Sequence, residues 1–167
     1  MPLASELTIH KASGDDIALI RSLSQQIWPA TYANILTPEQ IDYMMDFIYS
    51  EESLKRQMES NHEFIIVYQG ELPIGFASYS EKKPGIYKLH KIYLMKVEQG
   101  RGHGKFVIQQ IIKEIKEKGA TVLQLNVNRY NTARVFYEKL GFEIIGPEDV
   151  DIGNGYFMED YVMEKKM

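Results

Sequence analysis

Apolar residues in the first third of the chain recur at helical spacing, and in the middle they alternate or run together as strands do. Glu6–Lys11 alternates like a short strand. Asp15 and Asp16 then open a helix whose apolar positions Ile17, Ile20, Leu23 and Ile27 recur at three and four, with Ser24 as one polar position on that face. Pro29 is expected to end it. Thr37-Pro38-Glu39-Gln40 starts another: the threonine can cap, the proline suits the first turn, and Gln40 completes a capping box. A short helix is expected from Ser50 to about Ser60.

The period then changes. EFIIVYQGELPIGFASYSE holds two apolar runs around Gln69-Gly70, a hairpin signal, and KPGIYKLHKIYLMK starts a further strand from a Pro-Gly turn. Glu63 to about Met95 therefore reads as three antiparallel strands. A glycine-rich stretch follows, then a helix with Val107, Ile108, Ile111, Ile112 and Ile115 on one face and Gly119 as its C-cap. In TVLQLNVN, Leu123, Leu125 and Val127 point one way and Gln124, Asn126 and Asn128 the other. Asn131 can cap a last helix, which Gly141 ends, and FEIIG and GYFMEDYVMEK close the chain as strands. This order predicts an α/β fold of the α+β type, a mixed and mostly antiparallel sheet of about seven strands with helices on both faces. No linker, repeat or low-complexity tract interrupts residues 1–167, so a single domain is expected.

Composition narrows the chemistry. The 167 residues carry a net charge of −4, which argues against nucleic acid as a partner. There is no cysteine, which removes disulfides, thiolate metal sites and a cysteinyl intermediate. The four histidines are dispersed, without metal-site spacing. The N-terminal stretch has no signal-peptide core and no run approaches a membrane span, so a cytoplasmic protein with no membrane partner is expected.

The stretch VEQGRGHGKFVIQQII holds the most specific signal. Glycines let backbone N–H groups close around an anion, and a helix N-terminus adds about half a positive charge. Gly100, Gly102 and Gly104, leading into a helix near Lys105, supply both, and a phosphate or pyrophosphate is the natural guest. A Walker A loop fits poorly, because Gln99 and Phe106 stand where its first glycine and its Ser or Thr belong. A dinucleotide fingerprint would need a third glycine where Lys105 stands.

Gln99-Gly100-Arg101-Gly102-His103-Gly104 does match Q/R-x-x-G-x-G/A. Around it, KLHKIYLMKVEQGRGHGKFVIQQII resembles the strand–loop–helix unit with which the GNAT acetyltransferase superfamily holds the pyrophosphate of acetyl-CoA. LQLNVNRYNTARVFYEKLGFEIIG resembles that family's second unit, through Asn131, Phe136, Tyr137, Lys139, Gly141 and Phe142, with Arg134 where the pattern has a small residue and Ala133 one place before it. The two units span Leu89 to Gly146. The resemblance implies a GNAT fold with a splayed central strand pair, and transfer of the acetyl group of acetyl-CoA to a primary amine by direct attack in a ternary complex. No metal is implied.

What the resemblance implies residue by residue is as follows. The backbone at Leu94 and Lys96 holds the pantetheine and the thioester carbonyl; such an oxyanion-hole donor is worth ~3 kcal/mol. Gln99, Gly100, Arg101, Gly102, His103, Gly104 and Lys105 hold the pyrophosphate, with Asn131 and Arg134 also on the cofactor. Tyr137 donates a proton to the departing thiolate, and a phenol of pKa about 10 suits a thiolate of about 8.5. Many relatives carry a glutamate base on the strand before the loop; Lys88-Leu89-His90-Lys91 has none, and His90 is the best replacement. IWPATYANILTPEQIDYMMDFIYS resembles a bacterial branch acting on polyamines and peptides, and Trp28, Tyr32, Tyr43 and Tyr49 can line a cleft for a cation or pack as core. Glu148, Asp149 and Asp151, in a turn-rich segment, and Glu159 and Asp160 in the last strand could draw in a polyamine. The expected acceptor is a small amine such as a polyamine, then a peptide or protein amine. The rival is a catalytically degenerate acyl-CoA sensor or scaffold. Homodimers are common in the family, and the sequence leaves that state open.

Overall fold

The structure is a computed structural model and describes residues 6–95 and 102–167. Seven strands form one sheet in the order β1-β2-β3-β4-β5-β7-β6. They are β1 (Leu7–Lys11), β2 (Glu63–Gln69), β3 (Leu72–Lys83), β4 (Ile86–Leu94), β5 (Val122–Asn128), β6 (Glu143–Gly153) and β7 (Tyr156–Lys166). The five helices are α1 (Ile17–Tyr32), α2 (Pro38–Tyr49), α3 (Glu51–Glu59), α4 (His103–Glu117) and α5 (Ala133–Lys139). β1 and β2, β2 and β3, β5 and β7, and β6 and β7 run antiparallel, while β4 and β5 are parallel and are joined by α4. This is the mixed, mostly antiparallel sheet the hydrophobic pattern predicts.

Contacts gather the chain into two compact units. The first comprises Met1–Tyr79 and Lys91–Ile108, the second Ser80–His90 and Gln109–Met167.

In the first unit, Ile17, Ile20, Leu23, Ile27, Trp28 and Tyr32 form the buried stripe of α1, and Phe64, Ile65, Ile66 and Val67 of β2 are buried on both faces. α1 starts beyond a 3-10 turn whose Ser13 and Asp16 make a reciprocal capping box. Thr37 Oγ1 accepts from Gln40 N–H at 3.2 Å and Pro38 opens α2. Pro29 does not end α1, which runs on to Tyr32. An interior proline costs ~3 kcal/mol. Trp28 and Tyr32 are 2% and 5% exposed, and burying two such rings at ~1.5–3 kcal/mol each offsets that cost. Thr31 Oγ1 also donates to the Ile27 carbonyl in this last turn, at 2.8 Å. The helix thus continues past Pro29 with Tyr32 buried on the same face as Trp28.

The same unit buries polar atoms in pairs. Trp28 Nε1 donates to Tyr49 Oη at 2.9 Å, and burial holds the Tyr49 phenol well above its usual pKa, so it stays neutral. Lys91 is half-buried as a residue, but its amine lies inside. Nζ donates to Gln57 Oε1 at 2.6 Å and sits 5.4 Å from the Phe64 ring centre and 6.0 Å from that of Tyr49. The Gln57 amide donates in turn to the Ile48 carbonyl and Ser53 Oγ. Desolvation lowers the Lys91 pKa to about 8. His62 is lowered too, by desolvation first and by the Lys91 charge second.

In the second unit, Leu123, Leu125 and Val127 of β5 and Ile111 and Ile115 of α4 are buried, while Gln124 and Asn126 alternate away from that face. The segment 147–152, expected as turn-rich, is instead strand. Glu148 pairs with Asp160, Asp149 with Glu159 and Asp151 with Phe157. The turn lies at Asn154-Gly155, whose φ values of +54° and +77° suit a primed hairpin turn. Pro147 is tolerated because β6 is an edge strand.

Two outcomes test this packing. Between the folded Lys91 pKa of about 8 and the ordinary 10.5 the unfolded chain binds the extra proton, so stability rises with pH across that window. Denaturant unfolding is expected to show a gain of about 2 kcal/mol from pH 8 to 9.5, and Lys91→Met to lack it. Tyr49→Phe leaves the buried Trp28 N–H unpaired and is expected to lower stability by ~1–3 kcal/mol in the same assay.

Candidate active site

The head of α4 carries the anion-binding signal. Gly102 has φ +80° and is exposed, and a Cβ built on it meets no atom of the described residues within 4 Å. Its carbonyl accepts from Phe106 N–H at 3.1 Å, which starts the helix. The N–H groups of His103, Gly104 and Lys105 therefore lie in the first turn of α4, at the end of the helix that carries its partial positive charge. A positive φ of this size favours glycine, and a helix N-terminus with no side chain in front of it suits an anion. Lys96, Gln99, Gly100 and Arg101 lie outside the described residues.

Also in the first unit, the end of β4 is held from several directions. β3 bulges at Ile74, which has no partner between the pairs Val67–Gly75 and Tyr68–Pro73. The Ile74 carbonyl accepts from Met95 N–H at 2.8 Å. Gly75 is buried against β4, and a Cβ there would lie 2.4 Å from the Tyr93 carbonyl oxygen and 3.1 Å from Leu94 Cα. Tyr93 Oη and Tyr32 Oη are hydrogen-bonded at 2.9 Å. The Tyr93 ring centre is 5.7 Å from that of Trp28 and 5.8 Å from that of Phe76. The Trp28 and Tyr32 rings, tilted to one another with centres 4.3 Å apart, share one face of the helix that Pro29 does not end. Both are core residues here, as is Tyr49, whereas Tyr43 stacks on the exposed Phe47. A cavity of ≈ 350 Å³ opens between α1 and α2, bounded by residues including Arg21, Gln25, Pro29, Asp42 and Asp46. Of the four aromatic residues the sequence offered for a cleft, Tyr49 borders this cavity, and Trp28, Tyr32 and Tyr43 are not among its lining residues.

In the second unit, His90 Nε2 lies 2.6 Å from Ser80 Oγ. Two residues earlier, Lys88 joins Glu148 and Asp160, two of the carboxylates singled out in the sequence, in a charged cluster whose lysine and asparagine the sequence reading missed. Asn126 Nδ2 donates to Glu148 Oε1 and to Asp160 Oδ2, each at 3.2 Å. Asp160 is buried, and desolvation raises its pKa against the opposing pull of Asn126, Lys88 and Arg129. Desolvation lowers that of Lys88, with Lys82 adding to it and Glu148 and Asp160 opposing. The alternation Gln124, Asn126, Asn128 was the available signal, but the partners come from β6 and β7, which only the register supplies.

On α5, Tyr137 is 9% exposed, edge-on to Phe136 and to Phe142. Asn131 Oδ1 accepts from Ala133 N–H at 2.9 Å, so the asparagine opens the helix from one place before the formal cap, Thr132. Arg134 pairs with Glu138 at 3.4 Å and lies over the Tyr161 ring. The β4–β5 ladder joins Ile86–Leu89 to Val122–Leu125, while β4 itself runs on to Leu94 and β5 to Asn128. Among the described residues no group of three or more His, Cys, Asp or Glu could hold a metal ion, and no helix is long and apolar enough to cross a membrane.

Comparison with known proteins agrees with this arrangement. The family model described as acetyltransferase (GNAT) domain matches residues 32–164. A spermidine N(1)-acetyltransferase of Thermoplasma acidophilum is 30% identical over 168 residues, covering 96% of this chain and 97% of that one. A ribosomal-protein-alanine N-acetyltransferase of Haemophilus influenzae is 39% identical over 69 residues, 41% of this chain and 44% of its own. Among solved structures, the PaiA N-acetyltransferase of Thermoplasma acidophilum in complex with coenzyme A superposes with a TM-score of 0.82 at 28% identity, covering 97% of this chain and 99% of that one. These matches and the seven-stranded sheet agree: the chain belongs to the GNAT family and is an N-acetyltransferase that uses acetyl-CoA.

Proposed function

We propose that the acceptor is a small polyamine, acetylated at a primary amine by direct attack on the thioester in a ternary complex. The observation that carries the small-amine reading is the match to a spermidine acetyltransferase along 96% of the chain, against 41% for the ribosomal-protein enzyme. The carboxylates of Asp160 and Glu148, drawn together by Asn126, give the second unit a negative site suited to a cation. The chain is proposed to work in the cytoplasm as a single domain.

The residues present fit acetyl-CoA. The first-turn N–H groups of α4 and the open front of Gly102 suit the pyrophosphate, with Gln99, Gly100 and Arg101 completing the loop and Lys105 adding charge. The backbone of Leu94 and Lys96 takes the pantetheine and the acyl carbonyl. Asn131 has committed its side-chain oxygen to Ala133, so it offers the arm its amide hydrogens. The reaction forms a C–N bond and breaks the C–S bond. Tyr137 gives its phenolic proton to the leaving sulfur, and His90, oriented by Ser80, takes the proton that the attacking nitrogen loses.

Release of free CoA thiol is expected with spermidine, spermine or putrescine; turnover confined to alanine-terminated peptides would overturn the polyamine assignment. Tyr137→Phe keeps the ring contacts and is expected to lower kcat by about 100-fold with the acetyl-CoA KM nearly unchanged. Wild-type turnover in that variant would reduce Tyr137 to packing. Gly102→Val adds both backbone strain and a side chain in front of the helix, and is expected to weaken acetyl-CoA binding at least about 10-fold by calorimetry.

A further inference from the structure

The end of β4 is fixed by contacts that the acetyl-transfer reading does not itself require. We propose that Gly75 and the Tyr32–Tyr93 hydroxyl pair are positioning residues that set where the Leu94 backbone stands and so tune the acyl-transfer step. The inference rests on the reading that this backbone meets the acyl carbonyl.

Three observations carry it. First, β3 and β4 meet at Gly75 with no room for a side chain. Its Cβ would fall 2.4 Å from the Tyr93 oxygen, 2.6 Å from Leu94 Cδ2 and 3.1 Å from Leu94 Cα. Two of these are backbone atoms, which cannot rotate away as a side-chain tip can, so any other residue displaces the strand. Gly75 shows no positive φ; it is the space that demands glycine here. Second, the bulge at Ile74 frees a carbonyl that takes the Met95 N–H, anchoring the residue after Leu94. Third, Tyr93 is anchored from its far end. Its hydroxyl meets that of Tyr32 at 2.9 Å, and Trp28 and Phe76 pack its ring. Leu94 therefore stands between two fixed neighbours, with Gly75 behind it.

A donor aimed at a developing oxyanion depends steeply on position, and a misplacement of about 1 Å can cost about 100-fold in rate. This gives Trp28 and Tyr32, expected on a substrate wall, a different part: they hold the strand that holds the acyl group.

The test uses the full chain with acetyl-CoA and spermidine, and compares Gly75→Ala, Tyr32→Phe, Tyr93→Phe and the double phenylalanine variant. Each single variant is expected to lower kcat by about 10-fold or more, while affinity for CoA, which keeps the pantetheine contact but has no thioester carbonyl, falls by much less, about 3-fold at most. The double variant should be no worse than either single one, because both remove the same hydrogen bond. Loss of CoA affinity in parallel with kcat would mean a general structural role and overturn the proposal, as would unchanged kcat in the two tyrosine variants. Gly75→Ala failing to fold leaves the tyrosine pair to decide. A wild-type chain inactive with spermidine but active with a peptide amine overturns the acceptor assignment alone, and the same comparison is then run on the peptide. Inactivity with every amine would remove the acyl-transfer reading and this inference with it.

Discussion

Two backbones meet without a side chain between them where β3 passes β4 at Gly75, and much of the first unit is arranged around that contact. A strand is ordinarily placed by its ladder of hydrogen bonds, which fixes register but tolerates a few tenths of an ångström. Steric contact between backbone atoms does not. At the end of β4, Gly75 lies against the Tyr93 and Leu94 backbone, the bulge at Ile74 takes the Met95 N–H, and the Tyr93 hydroxyl meets Tyr32. The aromatic cluster from Trp28 to Tyr49 is then more than filler. It carries the constraint from β4 into α1 and α2 through two hydrogen bonds and a set of ring contacts.

Each unit also keeps charged groups where water is scarce, and the two solve the problem differently. In the first, the Lys91 amine is met by an amide oxygen and two aromatic faces, so its charge is tolerated with a lowered pKa. In the second, Asp160 is met by an asparagine that also holds Glu148, and its pKa moves up because desolvation outweighs those partners. A buried lysine beside rings is inert packing that happens to titrate. A buried carboxylate beside a second carboxylate gains from a cation, and here Lys88 and Arg129 already supply part of that charge.

Most of the fold was legible because its signals are local. The stripe of α4, the alternation of β5 and the Gln69-Gly70 hairpin each sit within a dozen residues and need no partner to be read. The start of α4 beside Gly102 and the packing of the Phe136-Tyr137 pair in α5 were legible for the same reason. What misled was local chemistry overruled at a distance. Pro29 is a helix breaker in isolation, and the buried faces of Trp28 and Tyr32 override it. Glu148, Asp149 and Asp151 look like a turn until β7 pairs with them. Gly75 carried no signal at all: inside PIGFAS nothing marks it as the place where another strand arrives, since that strand lies almost twenty residues on.

The same β6 that misled has a further property. It lies at the edge of the sheet, with a row of backbone groups that could take on a strand from another chain. Pro147 removes one donor from that row, the two register shifts at Ile144/Gly146 and Asp151/Gly153 twist it, and Glu148, Asp149 and Asp151 load it with negative charge. At the opposite edge β1 is only five residues long. Both margins of the sheet are therefore poor templates, and a seven-stranded sheet with exposed Ile145 and Phe157 near one margin ends there without inviting self-association by strand addition.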